Sequence, residues 1–225
     1  MKNKRAVVLL SGGLDSAVGL YFAVSKGFDC YCLIFDYGQR HKKEIECAKK
    51  LARGLKCPYT VLKIDLPWKG SSLLDKRMPV PGRAGCDKKP GGIPSTYVPG
   101  RNIIFLSYAL SYAEAIGAGA IFIGAHSQDY SGYPDCRPEF YRSFGRVILT
   151  GTKAGVQGKA LKVHIPLIRM NKARIIRLGV RLGVPFGSTR SCYNGGKSPC
   201  GICDSCRFRA KGFREAGIKD PALAK

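Results

Sequence analysis

Six residues limit what this chain can fold into more than any other stretch. SGGLDS, Ser11 to Ser16, follows the apolar run Ala6-Val7-Val8-Leu9-Leu10 and precedes a segment, 17–26, patterned as helix. A turn between a strand and a helix leaves the first N–H groups of the helix unpaired, and the helix dipole adds to their pull on an anion. Gly12 and Gly13 let backbone approach a phosphate with no Cβ in the way. Ser11 and Ser16 add hydroxyl donors. The spacing is neither G-x-x-x-x-G-K-[ST] nor G-x-G-x-x-G, so neither a Walker loop nor a dinucleotide fold is indicated. Asp15 is out of place in a bare anion site. A carboxylate there suits a polyphosphate bridged by Mg²⁺, which takes carboxylate and phosphate oxygens together. The alternative is an ordinary glycine turn with a capping Asp.

The rest of the chain alternates in a way that fits this turn. Strand-like segments at 5–10, 30–37, 59–64, 120–124 and 161–165 are separated by helical patterns at 17–26, 41–55 and 101–116. The segment 30–37 (CYCLIFDY) is almost wholly apolar, as a strand covered on both faces must be. Such alternation predicts an α/β fold: a Rossmann-like parallel sheet with helices on both faces. Residues 1–165 are expected to form the nucleotide-binding core. Within it, 66–100 is rich in Gly, Pro and Lys and reads as a functional lid or a disordered loop. Residues 166–225 are expected to form a helical C-terminal region packed with the core. It opens on a helix at 171–183 with Asn171 as N-cap and closes on a short helix at 205–215.

The protein has 225 residues, 45% of them hydrophobic, and a net charge of +23. That composition excludes a disordered chain, and no apolar run approaches the roughly 20 residues of a bilayer span. The start, MKNKRAVVLLSGG, lacks the small-residue cleavage site of a secretory leader, so a cytoplasmic protein is expected. From Arg137 onward the only acids are Glu139, Asp204, Glu215 and Asp220. Such a field attracts anions: nucleotides, RNA or acidic surfaces. Arg174, Arg177 and Arg181 line one helix face, as do Arg207, Lys211 and Arg214. RNA contact through these stripes is the sharper reading. A solvated face is the favoured one, because no known RNA-binding motif accompanies them.

Six of the ten cysteines (Cys30, Cys32, Cys47, Cys57, Cys86, Cys136) are scattered and read as small buried hydrophobes. Cys192, Cys200, Cys203 and Cys206 are different, spaced C-x₇-C-x₂-C-x₂-C. Clustered cysteines in a cytosolic chain bind metal more often than they form disulfides. Four thiolates suit tetrahedral Zn²⁺ at a closed site, and iron–sulfur clusters use similar spacing.

S-G-G-x-D-S after a first strand resembles the PP-loop of the N-type ATP pyrophosphatases, which adenylate a carboxylate or carbonyl and release pyrophosphate. That resemblance makes Leu10, Ser11, Gly12, Gly13, Leu14, Asp15 and Ser16 the expected ATP-binding set, with Mg²⁺ accompanying the ATP. Four further stretches, FDYGQRH (35–41), TYVPGRN (96–102), DYSGYPDCRPEF (129–140) and SCYNGGKSPCGICDSC (191–206), narrow it. In this order, and over nearly the whole chain, they resemble the QueC family of 7-cyano-7-deazaguanine synthases. The resemblance implies ATP-driven conversion of 7-carboxy-7-deazaguanine and ammonia to a nitrile, preQ0. It also implies one structural zinc on the four cysteines and a homodimer. A PP-loop enzyme acting directly on tRNA is the alternative.

The chemistry nominates particular residues. Two anionic substrates need positive groups between them, and Arg40, Arg101, Arg137 and Lys153 are the candidates, Arg137 beside the substrate; Asp15 completes the catalytic set with Arg40, Arg101 and Lys153. A guanine-like ring offers N–H donors that an Asp accepts. Asp135 is the candidate, with Asp129 as its rival and Tyr130 or Tyr133 stacking on the ring. His126, in Gly124-Ala125-His126, either faces the nucleotide, stands behind it or points to solvent.

Overall fold

The computed structural model describes residues 4–40, 42–81, 92–126, 132–196 and 198–223. Of the residues nominated above, Asp129, Tyr130 and Cys86 lie outside the described residues. Five strands form one parallel sheet: β1 (Lys4–Leu9), β2 (Phe28–Asp36), β3 (Tyr59–Lys63), β4 (Ala120–Phe122) and β5 (Lys162–His164), in the order β3-β2-β1-β4-β5. Val7 stands between Tyr31 of β2 and Ile121 of β4. The chain winds outward from β1 to β3, then returns to lay β4 and β5 on the other side of β1. Strand order therefore reverses between β1 and β4, and the crevice at their carboxyl ends is where such sheets bind ligands.

Among the described residues, seven α-helices accompany the sheet: α1 (Leu14–Ser25), α2 (Lys43–Gly54), α3 (Arg101–Ala115), α4 (Pro138–Gly151), α5 (Lys153–Val156), α6 (Lys172–Arg181) and α7 (Asp204–Ala216). Alternate residues of each strand serve opposite faces. Ala6, Val8 and Leu10 pack with α1, α2, α6 and α7, whereas Val7 and Leu9 pack with α3 and α4. Each fully buried Leu, Ile or Phe contributes about 1.5–3 kcal/mol relative to an exposed one, so both faces hold the sheet. Ile175, Ile176 and Phe213 share the apolar cluster of β1 and α1, so the C-terminal helices continue the core.

Local chemistry sets the helix starts. Asn171 Oδ1 accepts from the Arg174 N–H at 2.9 Å, the N-cap read from the sequence. Pro138 opens α4, where its missing N–H is not needed. Helices α4 and α5 were not among the segments expected. The signal of α4 is Tyr141, Phe144 and Ile148, buried at helical spacing. The described parts of the 66–100 segment are packed rather than loose. Leu66, Leu73 and Val98 are buried in the second core, and Ser72 N–H donates to the Ser95 carbonyl at 2.8 Å. Among the described residues, no helix is long and apolar enough to cross a membrane.

Candidate active site

SGGLDS sits in the crevice between β1 and β4. Gly12 has φ +82°, the left-handed region, and a Cβ there would lie 2.1 Å from the Glu44 carbonyl oxygen of α2. Glycine is needed on both counts. Gly13 caps α1 with extended backbone. The serines brace the turn: Ser16 Oγ lies 3.0 Å from Ser11 Oγ and donates to the Gly13 carbonyl at 3.1 Å. Gly13 N–H donates to Ser11 Oγ at 3.3 Å. From the C-terminal region, Arg190 N–H donates to the Gly12 carbonyl at 2.9 Å. Gly124, after β4, backs directly on α1, where a Cβ would lie 2.9 Å from the Asp15 carbonyl oxygen.

Asp15 is held from an unexpected direction. Lys172, the first residue of α6, places its ammonium 2.8 Å from both carboxylate oxygens. The same Nζ lies 2.8 Å from His126 Nε2, so its three donors have three partners. His126 is buried and stands 3.5 Å from Asp15 Oδ2, so it faces the loop and not solvent. Burial pushes the Asp15 carboxyl up, but the Lys172 ammonium and His126 more than reverse this and hold it below the usual carboxylate range. Sequence reasoning missed Lys172, which reads there as one more cation on a basic helix.

Two chambers meet at this loop. The larger, about 250 Å³, is walled by Leu9, Leu10, Leu33, Phe35 and Phe105, with Tyr37, Gln39, Thr96, Arg101, Asn102 and Tyr133 supplying polar atoms. Phe35 and Phe105 stack with centroids 3.9 Å apart. The smaller, about 110 Å³, is polar and lined by His126, Lys172, Asp204 and Arg209. Asp15, Thr96, Tyr133, Ser191 and Tyr193 border both. Gln39 is fixed by a bond from Tyr37 N–H (2.8 Å) and one to the Phe35 carbonyl (3.1 Å). Gln39, Thr96 and Asn102 lie in the stretches FDYGQRH and TYVPGRN, but sequence reasoning assigned none of them a part of its own; Gln39 enters from the end of β2, Thr96 from the segment before α3 and Asn102 from the first turn of α3.

The nominated residues divide. Arg101 lies in the large chamber with its Nη1 donating to Tyr37 Oη at 3.4 Å. Tyr133 borders both chambers, its hydroxyl 2.5 Å from Thr96 Oγ1. Arg40 lies outside the lining: its Nη2 donates to the Asp75 and Met78 carbonyls and clamps that loop. Asp135 is buried behind the chamber, with Oδ2 accepting from the Asn102 N–H at 3.1 Å. Its carboxylate therefore satisfies the first turn of α3, and Asp135 lines neither chamber. Arg137 is exposed at the start of α4, and its side chain borders neither chamber. Lys153 is exposed beside Ala154, whose N–H donates to Glu114 in the last turn of α3. A helix of that length rises about 1.5 Å per residue, so Lys153 stands roughly 20 Å from Arg101, at the wrong end of the sheet for the charge-stabilising part expected of it.

The cysteine cluster adjoins this site. The sulfurs of Cys192, Cys200, Cys203 and Cys206 all lie within 4.8 Å of one another. Gly201 makes the tight turn between them at φ +73°. Cys200 N–H and Cys203 N–H each point at a cluster sulfur at 3.4 Å, an arrangement that favours thiolates. Bonds from Cys206 hold the Cys203 thiol low, at about 5. A tetrahedral ion with bonds near 2.3 Å needs sulfurs about 3.8 Å apart, so a modest contraction lets this set hold a metal. Cys203 caps α7 and Tyr193 packs on the cluster while bordering both chambers.

A parallel sheet with this loop at its switch point defines the PP-loop class of ATP-using proteins. The fold is shared with NMN synthetase from Francisella tularensis (TM-score 0.51, 17% identity, covering 97% of this chain and 79% of that one). It is shared also with a 4-thiouridine synthetase solved with RNA and bound ATP (TM-score 0.50, 20% identity, 95% and 50%). A family model described as "Queuosine biosynthesis protein QueC" matches residues 5–217, and the chain belongs to that family. Relatives named 7-cyano-7-deazaguanine synthase come from bacteria and an archaeon. That of Anaeromyxobacter sp. is 51% identical over 224 residues, 98% of this chain and 96% of the relative. That of Thermoplasma acidophilum is 48% identical over 221 residues, 98% and 92%.

Proposed function

We propose that this chain converts 7-carboxy-7-deazaguanine and ammonia into 7-cyano-7-deazaguanine, using ATP to activate the same carbon twice. The observation that carries the reading is the joined pair of chambers. A phosphate-binding turn opens into a space with an aromatic wall and a half-buried arginine, in a chain whose relatives bear that enzyme's name.

A carboxylate is a poor electrophile until its oxygen becomes a leaving group. In the first half, a substrate carboxylate oxygen attacks the α-phosphorus of ATP and pyrophosphate departs. Ammonia then adds to the carbonyl carbon, AMP leaves, and an amide remains. In the second half the amide oxygen attacks a second ATP. Loss of AMP and a proton from the resulting imidate leaves the nitrile. The N-terminus of α1 holds the phosphates by backbone N–H groups. Arg101 sits where two anions must approach each other, and its charge offsets their repulsion. Phe35, Phe105 and Tyr133 offer flat surfaces to purine-like rings. Asp135 fixes the first turn of α3, and with it Arg101 and Asn102.

Asp15 would hold a Mg²⁺ ion brought in with ATP, a carboxylate beside a phosphate turn being a donor that ion takes, and its charge would offset that of the phosphates. The four thiols suit zinc. A tetrahedral shell filled by four cysteines leaves no position for substrate, so the metal holds structure and performs no chemistry. Reduced thiols persist in the cytoplasm, where we place the protein; we expect it to be a homodimer. Mass spectrometry of a reaction with ATP, Mg²⁺, ammonia and the deazaguanine acid tests the reading. The expected product is the nitrile with two AMP released for each one formed. Recovery of amide alone, or AMP release that ignores the acid, would contradict it.

A further inference from the structure

We propose that α7 is a strut that positions the phosphate loop, with Gly212 and Arg209 as positioning residues and the metal-binding cysteines as its anchor. The proposal rests on the reading that SGGLDS binds ATP. Cys206, Arg209 and Gly212 follow one another at steps of three along α7, and all are buried on one face. From that face two routes reach the loop.

The first runs through Lys172. The Lys172 stem lies across α7 at Gly212, where a Cβ would come 2.3 Å from Lys172 Cγ and 2.9 Å from Ile176 Cδ1. Gly212 has ordinary helical backbone, so glycine is needed there for space and not for conformation. With the stem seated, the ammonium reaches both Asp15 oxygens. A methyl group at Gly212 would displace the near end of Lys172, and the flexible tip could not simply turn aside. The second route runs through Arg209. It is clamped by Asp220 at 2.7 and 2.9 Å and donates to Thr189 Oγ1 at 2.7 Å. The next residue, Arg190, holds the Gly12 carbonyl. At the other end, Cys203 caps α7 and Cys206 lies in its first turn. Four sulfurs on one ion fix that end of the helix. Without the ion, nothing covalent sets the angle at which Gly212 and Arg209 meet the loop.

Calorimetric titration of Mg²⁺–ATP measures the effect apart from turnover. Three proteins are compared: the native metal-loaded protein, the same protein stripped by a chelator, and Gly212→Ala. Metal content and far-UV circular dichroism are followed in each. Stripping is expected to weaken ATP binding at least tenfold while helix and sheet signals persist, and added zinc restores it. Gly212→Ala is expected to keep its metal, to lose affinity about tenfold, and to lose nothing further in a Lys172→Ala background. The proposal is overturned if stripped protein binds ATP as tightly as loaded protein, or if the Gly212→Ala loss is the same with Lys172→Ala present. Native protein that binds no ATP would overturn the ATP reading as well, which separates the two failures. Should Gly212→Ala not fold, the chelator arm decides alone.

Discussion

At the scale of single residues, the site turns on a carboxylate and the cation that neutralises it. Asp15 was legible in the sequence because an acid inside a phosphate turn demands a reason. Lys172 was not, because burial distinguishes it from its basic neighbours and burial is a tertiary fact. Asp15→Asn leaves the Lys172 ammonium, whose side chain is only 11% exposed, without its counter-charge. Turnover should fall about 10²–10³-fold and stability by about 3 kcal/mol, read by steady-state kinetics and urea melts. The pair also fixes a pH dependence. The folded Asp15 carboxyl titrates below its unfolded value. Its contribution is therefore complete above the unfolded pKa, about 3.9, and fades as pH falls through the lower folded value. Native protein should lose more stability than Asp15→Asn between pH 5 and 3; equal losses would mean the pair carries no such linkage. Asp135 shows a different limit: its motif stood out in the sequence, whereas the bond from the Asn102 N–H to its Oδ2 is a tertiary fact.

At the scale of elements, close approach decides more than propensity does. Gly12→Ala sets a Cβ against the α2 backbone and forces a left-handed conformation at φ +82°. The left-handed cost of about 1–2 kcal/mol and overpacking of about 1–3 kcal/mol should together lower the melting temperature by several degrees and abolish ATP binding. A variant that melts like the native protein would show that α2 yields. Asp220→Ala, just beyond α7, strands the buried guanidinium of Arg209, which also holds Thr189 and the Phe186 carbonyl. A loss of about 3 kcal/mol is expected, visible in thermal denaturation. The strands and the helices α1, α2, α3, α6 and α7 were readable from their apolar patterns, and α6 from its cap at Asn171 as well. Helix α4 hid behind the irregular segment before it, although Tyr141, Phe144 and Ile148 keep its period. The 66–100 segment read as loose because glycine and proline interrupt any period, yet Leu66, Leu73 and Val98 anchor its described ends in the core.

At the scale of the molecule, the fold follows from alternation and the site from where strand order reverses. The cysteine cluster was legible from spacing alone, while its nearness to the active site, through Tyr193 and α7, needed the chain folded. The charge of +23 spreads over solvated faces, with Arg174, Arg177, Arg181, Arg207, Lys211 and Arg214 all exposed. We expect only weak, salt-sensitive tRNA binding, with Kd above about 1 μM at physiological salt; a gel-shifted complex stable there would favour an enzyme acting on RNA itself. The central claim is that both oxygens of the carboxylate leave on AMP. It is tested most directly with 7-carboxy-7-deazaguanine labelled with ¹⁸O in both carboxylate oxygens and mass spectrometry of the released nucleotide. Each nitrile formed should send one ¹⁸O into each of two AMP molecules and none into pyrophosphate. Label found in pyrophosphate or inorganic phosphate, or retained in the product, would contradict that claim.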